Sequence, residues 1–179
     1  METLQAILTR RSIRSYTEQP ITEEALEKIL EAAMYAPTAR NTQSWQFIVV
    51  DDRTILDIIP SIHPYATMVK QAAAAIAVCG DQRLESLDGY LALNCAAATQ
   101  NMLLAAHDLG YGSCWLGVYP RQERMTALTE LLELPSHIVP ISLIALGVPK
   151  EIKPTPRRFL PDRIHWNRWT WDEPETGRI

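Results

Sequence analysis

Cysteine is scarce in this chain: Cys79, Cys95 and Cys114 are the only three among 179 residues, widely spaced and without a C-x-x-C pair. An odd number at such spacing builds neither a disulfide scaffold nor a zinc site, and it points to free thiols in a reducing compartment. Basic charge is scarce as well. Seventeen Lys and Arg against twenty-one Asp and Glu leave a formal net charge of −4. That balance excludes the broad basic face of a general nucleic-acid or membrane-surface binder. Long apolar runs are also missing. The stretch from Leu91 to Leu109 is broken by Asn94, Gln100, Asn101, His107 and Asp108, so it reads as a buried helix and not a membrane span. Met1-Glu2-Thr3 leads into an amphipathic stretch without the apolar core of a signal peptide. The expectation is a cytoplasmic protein.

The common catalytic signatures are absent too. His63, His107, His137 and His165 are scattered, with no H-x-x-x-H or Cys–His spacing, so no metal site is expected. There is no G-x-S-x-G, and Ser113 in "GYGSCWLG" has no base nearby in sequence. Gly110-Tyr111-Gly112 lacks the third glycine of a dinucleotide fingerprint, and no P-loop is present. Cys114 lies beside Trp115 in an apolar run and reads as an inert core thiol.

What is present is ordinary globular material, 47% apolar and 21% charged, in a length suited to one domain. Leu4, Ile7 and Leu8 have helical spacing. Thr22 can cap a second helix whose apolar face is Leu26, Ile29, Leu30, Ala33 and Met34, with Glu23 and Glu24 at its positive end and Ile21 stapling onto Leu26. A polar loop, "APTARNTQS", leads into a strand from about Trp45 to Val50. Short helices are expected over Thr54–Ile59 and Pro64–Ala72. "AAIAVCGD" reads as a buried strand, and Leu87–Leu109 as a long central helix stopped by Gly110. "GSCWLGVY" is a strand, Gln122–Leu132 a helix and "IVPISLIALGVP" a closing strand. Helices and strands mix without strict alternation, which predicts an α+β fold. The last thirty residues differ. Pro154, Pro156 and Pro161 interrupt them, yet Trp166, Trp169 and Trp171 cluster there. Such a tail should pack on something, either its own core or, preferably, a second subunit.

Against the acidic background, Arg10, Arg11 and Arg14 flank Ser12 and Ile13 in "RRSIRSY". Alone, this is either a solvated helix end or an anion clamp, since arginine forks match phosphate bidentately. Its company narrows the choice. "RRSIRSY", "APTARNTQSWQFIVV", "LGYGSCWLG" and a late "PRR" at Pro156–Arg158 resemble, in order and spacing, the nitroreductase family.

The resemblance implies a single domain over residues 1–179 with a mainly antiparallel central sheet flanked by helices. Residues 150–179 would form an arm wrapping the partner of a homodimer. It also implies FMN, with NADH or NADPH as co-substrate and a small nitroaromatic, quinone or similar acceptor, in ping-pong fashion. Arg10 and Ser12 would bind the phosphate and ribityl chain with Arg11 beside them, and Arg14 would reach the flavin pyrimidine. Pro37, Thr38, Ala39 and Asn41 would contact the flavin from the second subunit; Ser44 replaces the family's usual proline, and Trp45 is core. Trp115, Leu116 and Gly117 would lie along the ring near N5, glycine permitting close approach. Arg157 or Arg158 would return to the phosphate. The asparagine and lysine that hold the pyrimidine in larger members have no evident counterpart in "HPYATMVKQAA". No catalytic residue is implied, since the flavin carries the chemistry. Dehalogenation, enone reduction, flavin fragmentation, a flavin store without turnover and an anion-regulated interaction module remain as alternatives.

Overall fold

The apolar run expected to be a buried strand is the axis of the fold in the computed structural model, which describes residues 1–169. This strand, β2 (Ala74–Asp81), is buried at every position. Its side chains alternate between two cores, as a strand covered on both faces must. Ile76 and Val78 meet one core; Ala75, Ala77 and Cys79 meet the other.

Four strands form one antiparallel sheet in the order β1-β2-β4-β3. β1 is Trp45–Val50, β3 is Gly112–Gly117 and β4 is Ile138–Gly147. On one face lie α2 (Glu23–Met34) and the 21-residue α4 (Asp88–Asp108). On the other lie α3 (Arg53–Ile62), α5 (Gln122–Leu131) and a 3-10 turn at Thr67–Gln71. The expected helix over Pro64–Ala72 is thus only that turn. Its alanines favour helix, but β2 begins at Ala74 and draws the chain into the ladder.

Local signals set the element ends. Thr22 accepts the Ala25 N–H at 3.2 Å and caps α2. Asp52 caps α3 through Thr54 at 2.8 Å. α4 buries Leu91, Asn94, Cys95, Ala98, Thr99, Met102, Leu103 and Ala106 at helical spacing. It closes in a Schellman turn: Tyr111 N–H donates to Ala106 at 2.8 Å and Gly110 N–H to His107 at 3.1 Å. Gly110 takes the left-handed φ of +84° that this turn requires.

Two apolar surfaces stay outside these cores. The first helix, α1 (Thr3–Thr9), buries only Ala6, while Leu4, Ile7 and Leu8 are 72%, 48% and 64% exposed. Beyond Lys150 the chain is irregular except for a 3-10 turn at Pro161–Arg163. Phe159 is 78% exposed and Trp166 81%. Trp169 stacks on His165 at 4.1 Å; Trp171 lies outside the described residues.

Candidate functional site

β3 is an edge strand, and the chain covers only its first half. Extended residues after α1 run alongside it: Ile13 N–H donates to the Ser113 carbonyl at 3.0 Å, and Ser12 bridges Ser113 in parallel. The segment then crosses to the end of β4, where Thr17 N–H meets the Val148 carbonyl and Lys150 N–H meets the Ser15 carbonyl, each at 2.9 Å. Tyr16 is buried beneath it and donates to the Ile13 carbonyl at 2.7 Å. Burial pushes its phenol well above the usual range. Arg10, Ser12 and Arg14 are thereby fixed at one end of β3.

The three arginines differ once placed. Arg10 is half-buried, and no described acidic group pairs with it. Burial, then the like charges of Arg11 and Arg158, hold its proton affinity below the usual guanidinium value. Positive charge without a counter-charge is the electrostatic condition of an anion site. It is Arg158 whose charge is felt at Arg10. Arg11 braces the chain instead, its guanidinium donating to the carbonyls of Pro154 and Leu8, both at 2.9 Å, and of Arg10. It ties the late segment to the end of α1, and its Nη2 is buried without a partner. Arg14 is exposed, and its N–H donates to Glu151 at 2.6 Å. Lys153 donates to the Ser12 carbonyl at 2.8 Å. A cavity of about 240 Å³ opens here, lined by Arg10, Arg11, His107, Ser113, Glu151 and Lys153 among others; Glu151 pairs with Lys153 at 3.2 Å, which leaves Arg10 as the unpaired cation among the described residues here. Cys114, next to Ser113 in β3, is buried, its thiol pushed up by burial against the pull of Arg14, Lys153 and Arg10. A larger cavity of about 740 Å³ lies between Tyr16–Pro20, Arg53, Lys70–Ala73 and Lys150, and holds none of the expected site residues.

Beyond Ser113 the outward edge of β3 has no backbone partner among the described residues. The Ser113 carbonyl points away from β4, and residues two apart in a strand share direction. Trp115 and Gly117 therefore aim their N–H groups outward, and neither N–H has an acceptor among the described residues. Trp115 is 37% exposed. Leu116 is buried and faces the core. A Cβ built on Gly117 would meet nothing within 4 Å, whereas one on Gly112 would sit 2.8 Å from Ile13. Gly112 is needed for packing; nothing among the described residues needs a glycine at 117.

The polar loop is elsewhere. Ala39–Asn41 is a 3-10 turn with Arg40 and Asn41 at φ 55° and Gln43 at φ 46°, left-handed conformations that need outside support. Asn94 of α4 supplies it: Oδ1 accepts the Ala39 N–H at 2.9 Å, and Nδ2 donates to Ser44 at 3.0 Å and Thr42 at 3.3 Å. Arg40 donates to both oxygens of the buried Glu85 at 2.8 Å. That ion pair and the Leu87 N–H hold the Glu85 carboxyl below its usual range. The Thr38 hydroxyl accepts the Gln43 N–H at 3.1 Å. Pro37 and Asn41 are exposed, and Trp45 is partly buried and stacked on Phe47. The loop hangs on Asn94, whereas the arginine cavity abuts His107. These positions are about 20 Å apart along α4 at 1.5 Å per residue. Within one chain the loop and the arginines do not meet.

Asn94 and Glu85 are the supporting residues that sequence reasoning passed over. Asn94 had a usable signal, a polar side chain inside an alanine-rich helix; Glu85 had none. Among the described residues no His, Cys, Asp or Glu group could hold a metal ion, and no helix is long and apolar enough to cross a membrane.

Fold and site define an α+β protein that offers a cationic cradle at one end of an edge strand and free backbone donors at the other. The chain belongs to the nitroreductase family, whose profile matches residues 7–88 and 64–148. A protein of Archaeoglobus fulgidus named NADH dehydrogenase/NAD(P)H nitroreductase is 50% identical over 172 residues, covering 94% of this chain and 99% of that one. The crystal structure of a Parabacteroides distasonis protein of the same name superimposes with a TM-score of 0.90 at 39% identity, over 93% and 98% of the two chains. A Desulfovibrio desulfuricans nitroreductase solved in complex with FMN gives 0.82 at 33% identity, over 95% and 99%.

Proposed function

We propose that the chain is an FMN-dependent oxidoreductase that takes hydride from NADH or NADPH and reduces a small organic acceptor, a nitroaromatic, quinone or similar compound. The observation that carries this reading is the two-ended edge of β3. FMN is a flat ring joined by a ribityl chain to a phosphate. It asks for cations at one end and ring-edge donors at the other, about one strand length away. Six residues of strand span roughly 17 Å. Arg10 and Arg158 suit the phosphate, Ser12 the ribityl chain and Arg14 the pyrimidine end. The main chain at Trp115, Leu116 and Gly117 suits the ring, and the bare Gly117 lets it approach. Arg11 serves by holding the cradle together.

The separation of the 37–41 loop from the arginines supports a homodimer, in which Pro37, Thr38, Ala39 and Asn41 of a second copy complete each site. The uncovered α1 face and the arm's exposed aromatics suit the same interface. Three free buried cysteines suit a cytoplasmic setting. Bound here, FMN supplies the redox chemistry, accepting hydride from the nicotinamide and passing electrons to the acceptor. The residues bind and orient it, exclude water from its buried side and leave the side near Trp115 open. Nicotinamide and acceptor take turns there, which gives ping-pong kinetics, and water supplies the protons.

The purified protein should be yellow and release FMN on denaturation, and anaerobic NADH or NADPH should bleach it in stopped flow. Release of no flavin together with failure to bind added FMN overturns the reading. Bound FMN that neither nucleotide bleaches assigns a flavin store instead.

A further inference from the structure

The carbonyl of Gly117 is held more firmly than the end of a strand requires. Val118 and Tyr119 both donate their N–H groups to the Ile141 carbonyl, at 3.3 and 3.0 Å, which already closes the ladder. Yet the Gly117 oxygen accepts two further bonds from outside the sheet, from His63 Nε2 at 2.9 Å and from Arg124 Nη1 at 2.8 Å. His63 is the C-terminal cap of α3, and Arg124 lies in the first turn of α5. Two helices thus converge on one backbone oxygen.

The donors are themselves oriented. The His63 Nδ1 accepts the Tyr65 N–H at 3.3 Å, so the ring is neutral and its proton sits on Nε2, facing Gly117. The Arg124 guanidinium lies 5.6 Å from the centroid of the Tyr65 ring. A glycine has the widest backbone freedom of any residue, and in an extended strand its C=O and N–H point the same way. Holding the oxygen restricts ψ at this glycine and so favours the extended conformation in which the free Gly117 N–H also points outward.

We propose that His63 and Arg124 are positioning residues of the cofactor site, holding the Gly117 carbonyl so that its N–H stays aimed at the flavin ring. This rests on the FMN reading above. His63→Phe keeps a ring and removes the donor; His63→Gln keeps an amide donor; Arg124→Met keeps length without charge. Each is titrated as apoprotein with FMN, and the midpoint potential of the bound flavin is measured. His63→Phe and Arg124→Met should weaken FMN binding about tenfold, one charge-assisted or ring-donated hydrogen bond. They should also shift the potential to more negative values, because a wandering donor stabilises the reduced ring less. His63→Gln should recover most of both. A wild-type dissociation constant and potential in both donor-less variants overturns the proposal. Should His63→Phe not fold, Arg124→Met decides, since Arg124 is partly exposed. The ¹⁵N order parameter of Gly117 in apoprotein separates this proposal from the FMN reading. It should fall in the donor-less variants whether or not FMN binds, and an unchanged value overturns the positioning role.

Discussion

Gly117→Ala isolates the ligand from the fold. A Cβ at this position meets no atom of the described residues beyond its chain neighbours within 4 Å, and its φ lies outside the left-handed range. Alanine therefore fits the free protein, and by restricting the unfolded chain it should stabilise by about 0.4–1 kcal/mol. For a domain of this size that is a rise of roughly 1–4 °C in the apoprotein melting temperature. The bound ring should tell the opposite story. A methyl group where the ring rests forces the ring or the strand to yield. Such overpacking costs about 1–3 kcal/mol, or roughly 5- to 150-fold in FMN affinity. Gly112→Ala is the control, because its Cβ would lie within 3.1 Å of three Ile13 side-chain atoms and should lower apoprotein stability directly. The assay is thermal unfolding of apoprotein beside fluorescence titration with FMN. An unchanged dissociation constant in Gly117→Ala would refute the placement of the ring against β3; a large loss of apoprotein stability would refute the claim that nothing among the described residues needs this glycine.

Arg10→Ala should weaken FMN binding by roughly 1.5–3 kcal/mol, one charge-assisted hydrogen bond, while apoprotein stability holds because like-charge crowding with Arg11 and Arg158 is relieved; unchanged affinity on titration contradicts a phosphate role. Asn94→Ala removes three hydrogen bonds to the 39–44 loop and should destabilise by about 1–3 kcal/mol in urea unfolding, with FMN binding weakened although Asn94 lies far from the arginines. Ending the chain before Trp166 should shift it towards monomer in sedimentation, and an intact dimer counts against a subunit-crossing arm. Burial, and then the charge of Arg124, depress the His63 pKa, so below the ordinary imidazole value the unfolded chain binds more protons than the native one. Stability is therefore full above about pH 6.5 and declines as pH falls through that value. Melting of His63→Gln should fall less than wild type between about pH 7.5 and pH 5.5, above the carboxylate range; equal slopes contradict it.

The fold was largely legible because its strongest signals are periodic or backbone-imposed. The Leu87–Leu109 pattern became Asp88–Asp108, and the Gly110 stop became a Schellman turn. The stretch before β2 misled because residues such as Ala66, Met68, Lys70 and Gln71 favour helix while sheet pairing decides. The site was legible only in part. Charge singled out Arg10, Arg11 and Arg14 alike, but the same composition could not reveal that Arg11 spends its donors on three carbonyls. His63 was set aside as one of four scattered histidines because its partner is a backbone oxygen that sequence cannot place beside it. The apolar spacing of α1 was visible, but periodicity shows that a face exists and not what covers it.

The length of α4 ties the loop to the arginines. One end of this helix anchors the strained 38–44 loop through Asn94; the other abuts the arginine cavity through His107. A rigid rod of that length keeps the two apart in every conformation that preserves the core. The loop's left-handed residues, in a turn held by Asn94 and Glu85, form an ordered structure at the far end of α4 from Arg10 and Arg11. Such strain persists only where the surroundings over-determine it, and it gathers at sites of function. If the loop served only its own subunit, a shorter and less strained turn would reach β1 as well. Its rigidity is what a second copy would need, since a loop that completes a neighbour's site must be ordered before the neighbour arrives. In the proposed homodimer, Asn94 and Glu85 would therefore act on the other subunit's flavin from a distance, by keeping this loop in order.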